Sequence, residues 1–401
     1  MAITKATPLD IDALERKTFD GRDLEYRMAP VCYQISSEQA HGRKQPAGVV
    51  GKGAEHRKSV IAKLSNRPPA VPWSGFVTLS RAKIIGRGLC LTGNNKILLG
   101  GSLLLNPRVF PQKPMRRLVS RNETDAGAFL VTIPDNSVSP PGLVCHIGSL
   151  GMKVYGHWIV DVLPRLYRIL SSGLAVDHYA VGMLAQPWQI DMLEALGLDL
   201  AKVFFWDSRE YALDAGRLMI PTFFRISSEL REDFRDVHAF LLEKHAASES
   251  RNPAVEKLFV SRADLVESGR QLVNRQELEA IFAAEGFEII RPAQLPFVEQ
   301  IRLFARAAIV VGECGSGLHN TVFCRSGTRV GVIQSSVNYN MLQGQIAMWA
   351  GHDLYYLIGM PTTADGTIES DWSIDIADAR GFIEMLTEPT FRFGSGPARA
   401  E

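Results

Sequence analysis

At 401 residues the chain is too long for one ordinary hydrophobic core, so we expect two domains. Hydrophobic residues make up 46% of the sequence and charged residues 22%, which are average values for a globular protein in water. The formal net charge of +1 gives no reason to expect nucleic acid as a partner.

The cysteines and the hydropathy pattern indicate the cellular compartment. The five cysteines are odd in number and never spaced as C-x-x-C, which favours free thiols in a reducing environment over disulfides or a zinc ribbon. The first residues, "MAITKATPLDIDALERK", lack the apolar run of a signal peptide, and no apolar stretch approaches the ~18 residues of a membrane span. We expect a cytoplasmic protein, able to act at the cytoplasmic face of a membrane without spanning it.

In the first half of the chain we predict a loop, then strands, then alternating helices and strands. Residues 37–58 combine glycine, proline and basic side chains, and we predict a mobile basic loop there. The stretches "GFVTLSRAKII" and "NKILLGGSLLL" are typical of strands. Helical and extended patterns then alternate. The sequence predicts helices over "GHWIVDVLPRLYRIL" and "PWQIDMLEALG", and strands over "HYAVGML" and "KVFFWD".

The last third of the chain is the most regular. Four short apolar runs, "KLFVS", "FEII", "AIVV" and "RVGVI", are typical of buried strands. Between them lie amphipathic helical patterns, one opened by a capping-box pair of Asn274 and Glu277 and one carrying Ile301 and Phe304. Asp375 is a candidate cap for a last helix. The alternation predicts βαβ units, a parallel sheet and hence a Rossmann-like domain.

The domain organisation follows from these patterns. The polar segment 243–257 is typical of an interdomain linker. We therefore predict an N-terminal α/β domain over residues 1–245 and a C-terminal Rossmann-like domain over residues 255–370. A C-terminal helix over residues 371–388 and a disordered tail over residues 389–401 complete the prediction.

The stretch "VVGECGSGLHNTVF", residues 310–323, joins a predicted strand to a predicted helix. Gly312, Gly315 and Gly317 permit a tight turn and the close approach of a ligand, and the N–H groups that open the next helix would face an anion. Arg262, which follows another strand at the same edge of the sheet, can clamp a diphosphate or lie in solvent. The glycines are equally compatible with phosphate binding and with an ordinary strand-to-helix connection.

Cys314 and His319 allow two other interpretations of this loop. A thiol nucleophile needs a base, but a catalytic pair usually joins distant segments, and a buried free cysteine is the commoner case. One Cys and one His also fall short of a tetrahedral metal site. We therefore expect no metal site.

A second candidate group lies in "VYGHWIVDVLPRLYR". A continuous helix would place His157 and Asp161 on one face, four residues apart, with Arg165 one turn further on. A histidine that contacts a carboxylate is a plausible general base, although a surface pair or a satisfied core histidine is the simpler explanation of the spacing. Pro164 predicts a kink in this helix.

Taken in order, "YGHWIVDVLPRL", "LFVSRAD", "NRQELEAIFAAEGFEII", "LPFVEQIRLFARAAIVVG" and "GECGSGLHNTVF" resemble glycosyltransferase family 61, whose bacterial members are often labelled capsular polysaccharide biosynthesis proteins. The resemblance covers roughly residues 150–335. It implies an α/β, GT-B-like arrangement of two Rossmann-like domains facing a central cleft. We expect the C-terminal helix to pack back on the N-terminal domain.

The resemblance also implies an activity. The chain would be an inverting hexosyl- or pentosyltransferase that moves a sugar from a nucleotide sugar, with a UDP-sugar as the expected donor, to a glycan or lipid-linked oligosaccharide in bacterial surface polysaccharide synthesis. No cofactor and no obligatory metal are implied. Two rival hypotheses are a catalytically degenerate family member that binds a glycan or nucleotide, and a thiol enzyme that uses Cys314.

Matched by position, the family motifs assign roles to particular residues. His157 and Asp161 would be catalytic, with Trp158 and Arg165 contacting the acceptor or supporting the site. Donor binding falls on Arg262, Glu299, Gly312, Glu313, Gly315, Ser316, Gly317, Leu318, His319 and Asn320.

The glycine loop departs from the family pattern. Cys314 stands where relatives usually carry a histidine, so either His319 supplies a compensating imidazole or the donor sugar differs from the commonest ones. A carboxylate beside a diphosphate is unfavourable, and we therefore predict that the side chain of Glu313 points towards ribose or sugar hydroxyl groups.

Overall fold

The computed structural model describes residues 1–21, 24–39, 45–51, 62, 70–71, 73–100, 103–105, 110–111, 116–247, 256–264, 270–338 and 341–388. Within these ranges the protein is a mixed α/β structure built on a large mixed sheet and a smaller, mainly parallel sheet. Helices pack on the smaller sheet and on part of the larger one, and three buried apolar clusters form the core.

The strands before residue 231 are β1 Ala2–Asp10, β2 Arg16–Thr18, β3 Val31–Ser36, β4 Gly48–Gly51, β5 Ser74–Ile85, β6 Leu89–Leu91, β7 Lys96–Leu99, β8 Val119–Arg121, β9 Phe129–Ile133, β10 Asn136–Val138, β11 Leu143–His146, β12 His178–Val181, β13 Val203–Phe205, β14 Tyr211–Pro221, β15 Arg225–Ile226 and β16 Glu229–Leu230. The later strands are β17 Glu256–Val260, β18 Glu288–Ile290, β19 Ala307–Glu313, β20 Arg329–Ser335, β21 Asp353–Pro361 and β22 Trp372–Ser373.

The α-helices are α1 Tyr155–His157, α2 Leu163–Ser171, α3 Pro187–Leu196, α4 Asp236–Ala246, α5 Arg275–Ala284, α6 Phe297–Arg306, α7 Leu342–Ala350 and α8 Ile376–Thr387. A π-helical turn, Trp158–Val162, joins α1 to α2. The 3-10 helices are Ile11–Ala13, Leu200–Lys202, Glu232–Arg235, Pro292–Gln294 and Ser316–Phe323.

The larger sheet has the strand order β13-β12-β11-β14-β5-β6-β7-β1-β9-β8, with β10 beside β14 and β3 joining β2 to β5. Strands β11, β12, β13 and β14 are mutually parallel, whereas β5 is antiparallel to β14. His146 ends β11 and Pro221 ends β14, so both strands deliver their following loops to one carboxyl edge of the sheet.

The smaller sheet has the order β18-β17-β19-β20-β21-β22, and it is parallel from β18 to β21. The chain passes from β17 to β18 on one side and then to β19 on the other. This reversal is the point at which open α/β sheets bind ligands. Val260 of β17 lies opposite Gly312 of β19, so Arg262 and the glycine loop leave the sheet side by side.

Strand β4 changes one sequence-based prediction. It pairs in parallel with β21 of the smaller sheet, and its two central valines contact apolar residues on the two opposite faces of that sheet. The predicted mobile loop over residues 37–58 is therefore wrong for these four residues, because alternating valines pair there with a buried strand. Residues 40–44 and 52–58 of that prediction lie outside the described residues.

The predicted helix termini are partly confirmed. Pro187 opens α3, Gly197 ends it with a φ of 87°, and the Asp375 carboxylate accepts the N–H groups of the first turn of α8. The capping box at Asn274 is wrong. Its amide instead donates to the Ile374 carbonyl at 2.8 Å and accepts the Ile374 N–H at 3.1 Å, which joins the start of α5 to the segment before α8.

Helix α8 covers the smaller sheet. Phe382 and Leu386 lie in one apolar cluster with Phe259, Val311 and Leu357 of that sheet. The prediction that this helix packs back on the N-terminal domain is therefore wrong, apart from its contact with β4, a strand that the N-terminal segment contributes to the smaller sheet. The predicted disordered tail, residues 389–401, lies outside the described residues.

A continuous apolar core joins the two halves of the chain. Helix α4 lies against α6, and Phe234 and Leu241 belong to the same buried cluster as Ile301 and Phe304. Of the predicted linker between them, residues 248–255 lie outside the described residues. Among the helices that the structure describes, none combines the length and the apolar character that crossing a bilayer requires.

Candidate active site

The predicted helix around His157 is interrupted by a π-helical turn. His157 ends α1, Asp161 lies in the π turn, and the N–H of Leu163 donates to the carbonyl of Trp158, five residues earlier. Pro164 has no N–H to donate, so the helix restarts with this proline in its first turn. The irregularity that Pro164 predicts is therefore a π-helical turn, which lies just before the proline.

His157, Asp161 and Arg225 form one hydrogen-bonded group. The His157 Nδ1 and Asp161 Oδ2 atoms are 2.6 Å apart. Arg225, on the short strand β15, donates from Nε to Asp161 Oδ1 at 2.5 Å and from Nη2 to Asp161 Oδ2 at 2.9 Å. The Asp161 side chain is fully buried, whereas 37% of the His157 side chain is exposed. The imidazole is thus the member of the group that a substrate can reach.

The charges of this group are fixed by the ion pair. Burial alone raises the pKa of Asp161, but the Arg225 charge and the hydrogen bonds from His157 and Arg225 outweigh it and lower that pKa to about 2. For the Arg225 guanidinium, burial lowers the pKa, and the Asp161 carboxylate reverses the effect and raises it. Both residues are therefore ionised at neutral pH.

The ionised carboxylate determines the tautomer of His157. Arg225 Nη2 lies 3.2 Å from His157 Nδ1, but Asp161 Oδ2 is nearer and can only accept. The shorter contact therefore places a proton on Nδ1 and leaves Nε2 of the neutral ring as the acceptor. The backbone of Gly151 packs against the His157 ring, since a Cβ at this position would lie 2.5 Å from His157 Nδ1. The arrangement presents Nε2 as a proton acceptor in a defined orientation.

The glycine-loop helix, Ser316–Phe323, lies directly against the start of α1. A Cβ on Gly156 would stand 2.6 Å from His319 Cδ2 and 2.9 Å from Ser316 Oγ. Two motifs that are 160 residues apart in the chain, taken from Gly156 to Ser316, thus meet at the backbone of a glycine. The structure therefore brings His157, Asp161, Ser316 and His319 into one site.

His319 is buried and neutral. Burial lowers its pKa to about 4, although a hydrogen bond with Gln343 acts against the shift. Gln343 Nε2 donates to Thr321 Oγ1 at 2.5 Å, so its oxygen faces His319 Nδ1 at 3.4 Å. The proton of the neutral ring therefore lies on Nδ1, and Nε2 carries a lone pair towards Gly156. In this state the ring is an acceptor, which is unsuited to a phosphate oxygen.

Arg262 lies across the glycine loop. Its Nη1 atom donates to the carbonyl of Cys314 at 2.7 Å, and a Cβ on Gly315 would come within 2.5 Å of the same nitrogen. A Cβ on Gly312 would lie 2.8 Å from Val260 Cβ, and one on Gly317 would lie 3.2 Å from Val260 Cγ1. These glycines allow the loop to pack on β17 and on Arg262.

Two residues predicted to bind the donor have other partners. The carboxylate of Glu313 is buried and accepts from Arg275 Nε at 2.5 Å and from Arg275 Nη2 at 3.1 Å. It thus forms a bidentate ion pair, where ribose or sugar hydroxyl groups were expected. Glu299 lies on the outer face of α6, more than half exposed and paired with Arg302. Neither position supports direct donor contact.

Gln300 follows Glu299 in the stretch "LPFVEQIRLFARAAIVVG", and its side chain is buried. Its Oε1 atom accepts from Asn320 Nδ2 at 2.7 Å and lies 2.8 Å from the Tyr155 hydroxyl group. That hydroxyl group is also 2.9 Å from Asn320 Oδ1. Asn320 was expected to face a ligand. It instead joins the glycine-loop helix to α1 and α6, while Leu318 belongs to the apolar core.

The two predicted supporting residues are structural. Trp158 is buried and donates from Nε1 to the Met152 carbonyl at 2.8 Å. Arg165 is fully buried over the Phe223 ring and donates to the carbonyl groups of His146, Ile147, Gly148 and Pro221. Burial lowers the pKa of Arg165 to about 10, which leaves it charged at neutral pH. It holds together the loops that follow β11 and β14.

Sequence reasoning missed three residues of the site, Tyr155, Arg225 and Gln343, and it matched Gln300 to a motif without giving it a role. Gln300 and Tyr155 stood within quoted motifs, but their role depends on three separate segments meeting in the fold. Arg225 carried no local signal. No group of three His, Cys, Asp or Glu side chains positioned to hold a metal ion occurs in the described ranges.

Comparison with protein families gives a match over the candidate site. Residues 155–331 match the family model Glycosyltransferase 61. The matched segment contains the His157 group, Arg225, Arg262, α6 and the whole glycine loop. The match supports the resemblance of the motifs and a glycosyltransferase function with a sugar donor and an acceptor as substrates. A comparison with curated proteins finds no match.

Proposed function

We propose that the protein is an inverting glycosyltransferase of GT-B type that moves a sugar from a nucleotide sugar to a hydroxyl group of a glycan or lipid-linked oligosaccharide. The observation that carries the proposal is the contact between Gly156 and the glycine-loop helix, which sets His157 beside Ser316 and His319. The Glycosyltransferase 61 match covers the same residues. Surface polysaccharide synthesis at the cytoplasmic face of a bacterial membrane is the setting that the motif resemblance implies.

His157 is the base in this proposal. Asp161 is fully buried, ionised, and engaged by Arg225 and His157, so it orients the imidazole and stabilises its protonated form. His157 Nε2 takes the proton of the acceptor hydroxyl group. The oxygen forms a bond to the anomeric carbon as the bond from that carbon to the phosphate oxygen breaks. The electron pair leaves with the nucleoside diphosphate, and the configuration inverts.

The charge of the leaving diphosphate is met by groups of the smaller sheet. Arg262 and the N–H groups that open the Ser316–Phe323 helix supply positive potential at the carboxyl ends of β17 and β19. We propose that these groups act without an obligatory metal.

The nucleotide would lie along the same edge of the sheet. Buried Gln334 and Ser336 follow at the carboxyl end of β20. Within the described residues, neither the Gln334 amide nor the Ser336 hydroxyl group has a hydrogen-bond partner. Both are candidates to bond to the nucleoside.

The proposal is tested with a panel of nucleotide sugars, measuring nucleoside diphosphate release with and without a set of glycoside acceptors. His157→Ala and Asp161→Asn should each lower kcat by at least about two orders of magnitude, the usual contribution of a general base. His178→Ala, at the amino end of β12, is the matched control and should keep wild-type turnover.

The same assay separates the alternatives. Near-normal turnover of both site variants would refute the assignment of the base. Nucleotide binding without release from any donor would leave a binding protein. Cys314→Ala should remain active, since the proposal gives its thiol no chemical step.

A further inference from the structure

A cavity of about 360 Å³ is lined in part by His157, and no glycine-loop residue is among the described residues that line it. It is formed between the carboxyl end of β11 and the β6–β7 region of the larger sheet. His157, Asp161 and Arg225 are among its lining residues, so the cavity adjoins the proposed base. Its volume lies in the range of small-molecule sites.

Two polar side chains in the cavity have no hydrogen-bond partner among the described residues. The His146 imidazole is 2% exposed, and neither of its ring nitrogens forms a hydrogen bond of normal geometry, although the Ala180 backbone lies close enough to oppose the lowering of its pKa. The Ser149 hydroxyl group is 4% exposed and equally unbonded. Burying such groups without a partner costs free energy, and a ligand that bonds to them recovers it. Burial lowers the pKa of His146 to about 3, so its neutral ring can both donate and accept.

The opposite wall of the cavity is aliphatic. Leu98, Leu103, Leu104 and Leu105 line it, together with Ile220. Sugar rings are commonly bound on the faces of Phe, Tyr or Trp, but among the described residues that line the cavity Phe223 is the one such side chain, and the Arg165 guanidinium covers it. A wall of branched aliphatic groups instead suits methylene groups, whose burial is favourable in proportion to their area.

We propose that this cavity binds the acceptor and that the acceptor is a glycoside with an aliphatic aglycone. The sugar hydroxyl groups bond to His146 and Ser149, and the aglycone lies against the leucines. The inference rests on the proposed glycosyl transfer, since it presents the free sugar hydroxyl group to His157 Nε2. The charge of Arg165 is already directed to backbone carbonyl groups, which favours a neutral ligand over an acidic sugar.

The test is calorimetric titration of the full chain without any donor. The probes are methyl and octyl β-glycosides of glucose and galactose, the octyl compounds below their micelle-forming concentration, and methyl β-glucuronide. At least one octyl glycoside should bind about tenfold or more tightly than its methyl counterpart, which corresponds to the burial of about two methylene groups. Equal affinity of methyl and octyl compounds, no binding at all, or tighter binding of the glucuronide overturns the proposal.

Variants locate the binding. Leu105→Gln should remove at least about tenfold of the octyl affinity, whereas Leu184→Gln, at an exposed leucine, should leave it unchanged. His146→Phe and Ser149→Ala should weaken the methyl and octyl compounds by similar factors of about five to ten, and His146→Gln should restore part of the loss. Unchanged octyl affinity in both His146→Phe and Leu105→Gln places the binding elsewhere.

A second measurement uses the wild-type protein and so does not depend on the folding of variants. In the wild-type protein with ¹⁵N-labelled histidine, saturation with an octyl glycoside should shift the His146 ring resonances, identified by their loss in His146→Gln. Unshifted His146 resonances at saturation contradict the proposal. The binding measurement uses no donor, so its result is independent of the nucleotide-sugar assay. If the protein binds these glycosides but that assay shows no glycosyl transfer, the proposed function alone is wrong. If the assay shows transfer but these glycosides do not bind, this inference alone is wrong.

Discussion

The backbone of Gly156 lies against the imidazole ring of His319, and this contact joins the two halves of the candidate site. A Cβ at Gly156 would stand 2.6 Å from His319 Cδ2 and 3.1 Å from His319 Nε2. The next residue, His157, carries the proposed base. Any side chain at position 156 would therefore separate the proposed base from the glycine loop.

Gly156→Ala should displace either α1 or the Ser316–Phe323 helix, because the added methyl group meets ring atoms of a buried histidine. We expect kcat to fall at least about tenfold, with a loss of about 1–3 kcal/mol in the free energy of unfolding, as is usual for overpacking. Turnover and urea denaturation measure the two effects. Gly381→Ala, on α8 with no atom within 4 Å of the added Cβ, is the control: it should keep kcat and should lose no stability, because alanine is favoured over glycine in a helix interior by about 1 kcal/mol.

Arg225→Met should be strongly destabilising. It leaves the Asp161 carboxylate buried without its guanidinium, a change that typically costs about 3–5 kcal/mol. Arg225→Lys should lose less, because the ammonium keeps the charge but cannot form the bidentate pair. Equilibrium urea denaturation at neutral pH checks both values.

A surface ion pair provides the control for Arg225. Arg209→Met breaks the pair with Asp207 at a position where 74% of the arginine side chain is exposed. It should leave the free energy of unfolding close to the wild-type value, because solvent screens an exposed ion pair. A loss in Arg225→Met as small as this would show that Asp161 finds another partner or becomes protonated.

Nucleotide binding should reveal whether His319 replaces the family histidine. Its pKa of about 4 makes the free ring neutral, with the lone pair of Nε2 directed away from Gln343. To bond to a diphosphate oxygen, the ring must take up a proton, so affinity should fall as pH rises above about 4 until the pKa of the bound form is passed.

Calorimetric titration of UDP at pH 7, in buffers of different ionisation enthalpy, measures this proton uptake. The wild-type protein should take up more protons than His319→Gln, by up to about one per site. Equal proton uptake in the two proteins would show that His319 does not contact the diphosphate, and the imidazole lost at Cys314 would then have no replacement at His319.

The regular elements of the C-terminal half could be predicted from sequence because their signals are local. Helical periodicity, the Asp375 cap and short apolar runs correctly indicated α5, α6, α8 and the strands beside them. The strand β4 could not be predicted in this way. Its partner, β21, is about 300 residues away, and a short segment between glycines carries no signal of such a pairing.

Part of the candidate site could also be predicted from sequence, and part of it could not. His157 and Asp161 lie four residues apart, so their contact followed from helical spacing, even though the helix changes period between them. Arg225 completes the group from a two-residue strand, and only the tertiary fold brings it there. The sequence predicted a carboxylate at Glu313 beside the proposed diphosphate site, but only the fold shows its bidentate partner, Arg275 on α5.

Acid should destabilise the protein through three buried histidines. Burial lowers the pKa of His146 to about 3 and the pKa values of His238 and His319 to about 4, against about 6.5 in an unfolded chain. Between pH 6.5 and about 4 the unfolded state therefore binds more protons than the folded state. The free energy of unfolding must then fall as pH falls, by up to about 1.4 kcal/mol per pH unit for each histidine.

His238 is the histidine on which to test this, since it lies outside the candidate site and bonds to the Ile159 carbonyl. His238→Phe removes one of the three groups, so urea denaturation from pH 7.5 to 4.5 should give a shallower fall. Leu241→Ala, on the same helix, removes apolar contacts but no titratable group, and it should lower the free energy of unfolding by a similar amount at every pH. A slope in His238→Phe as steep as in Leu241→Ala would mean that the pKa of His238 in the folded protein is not lowered.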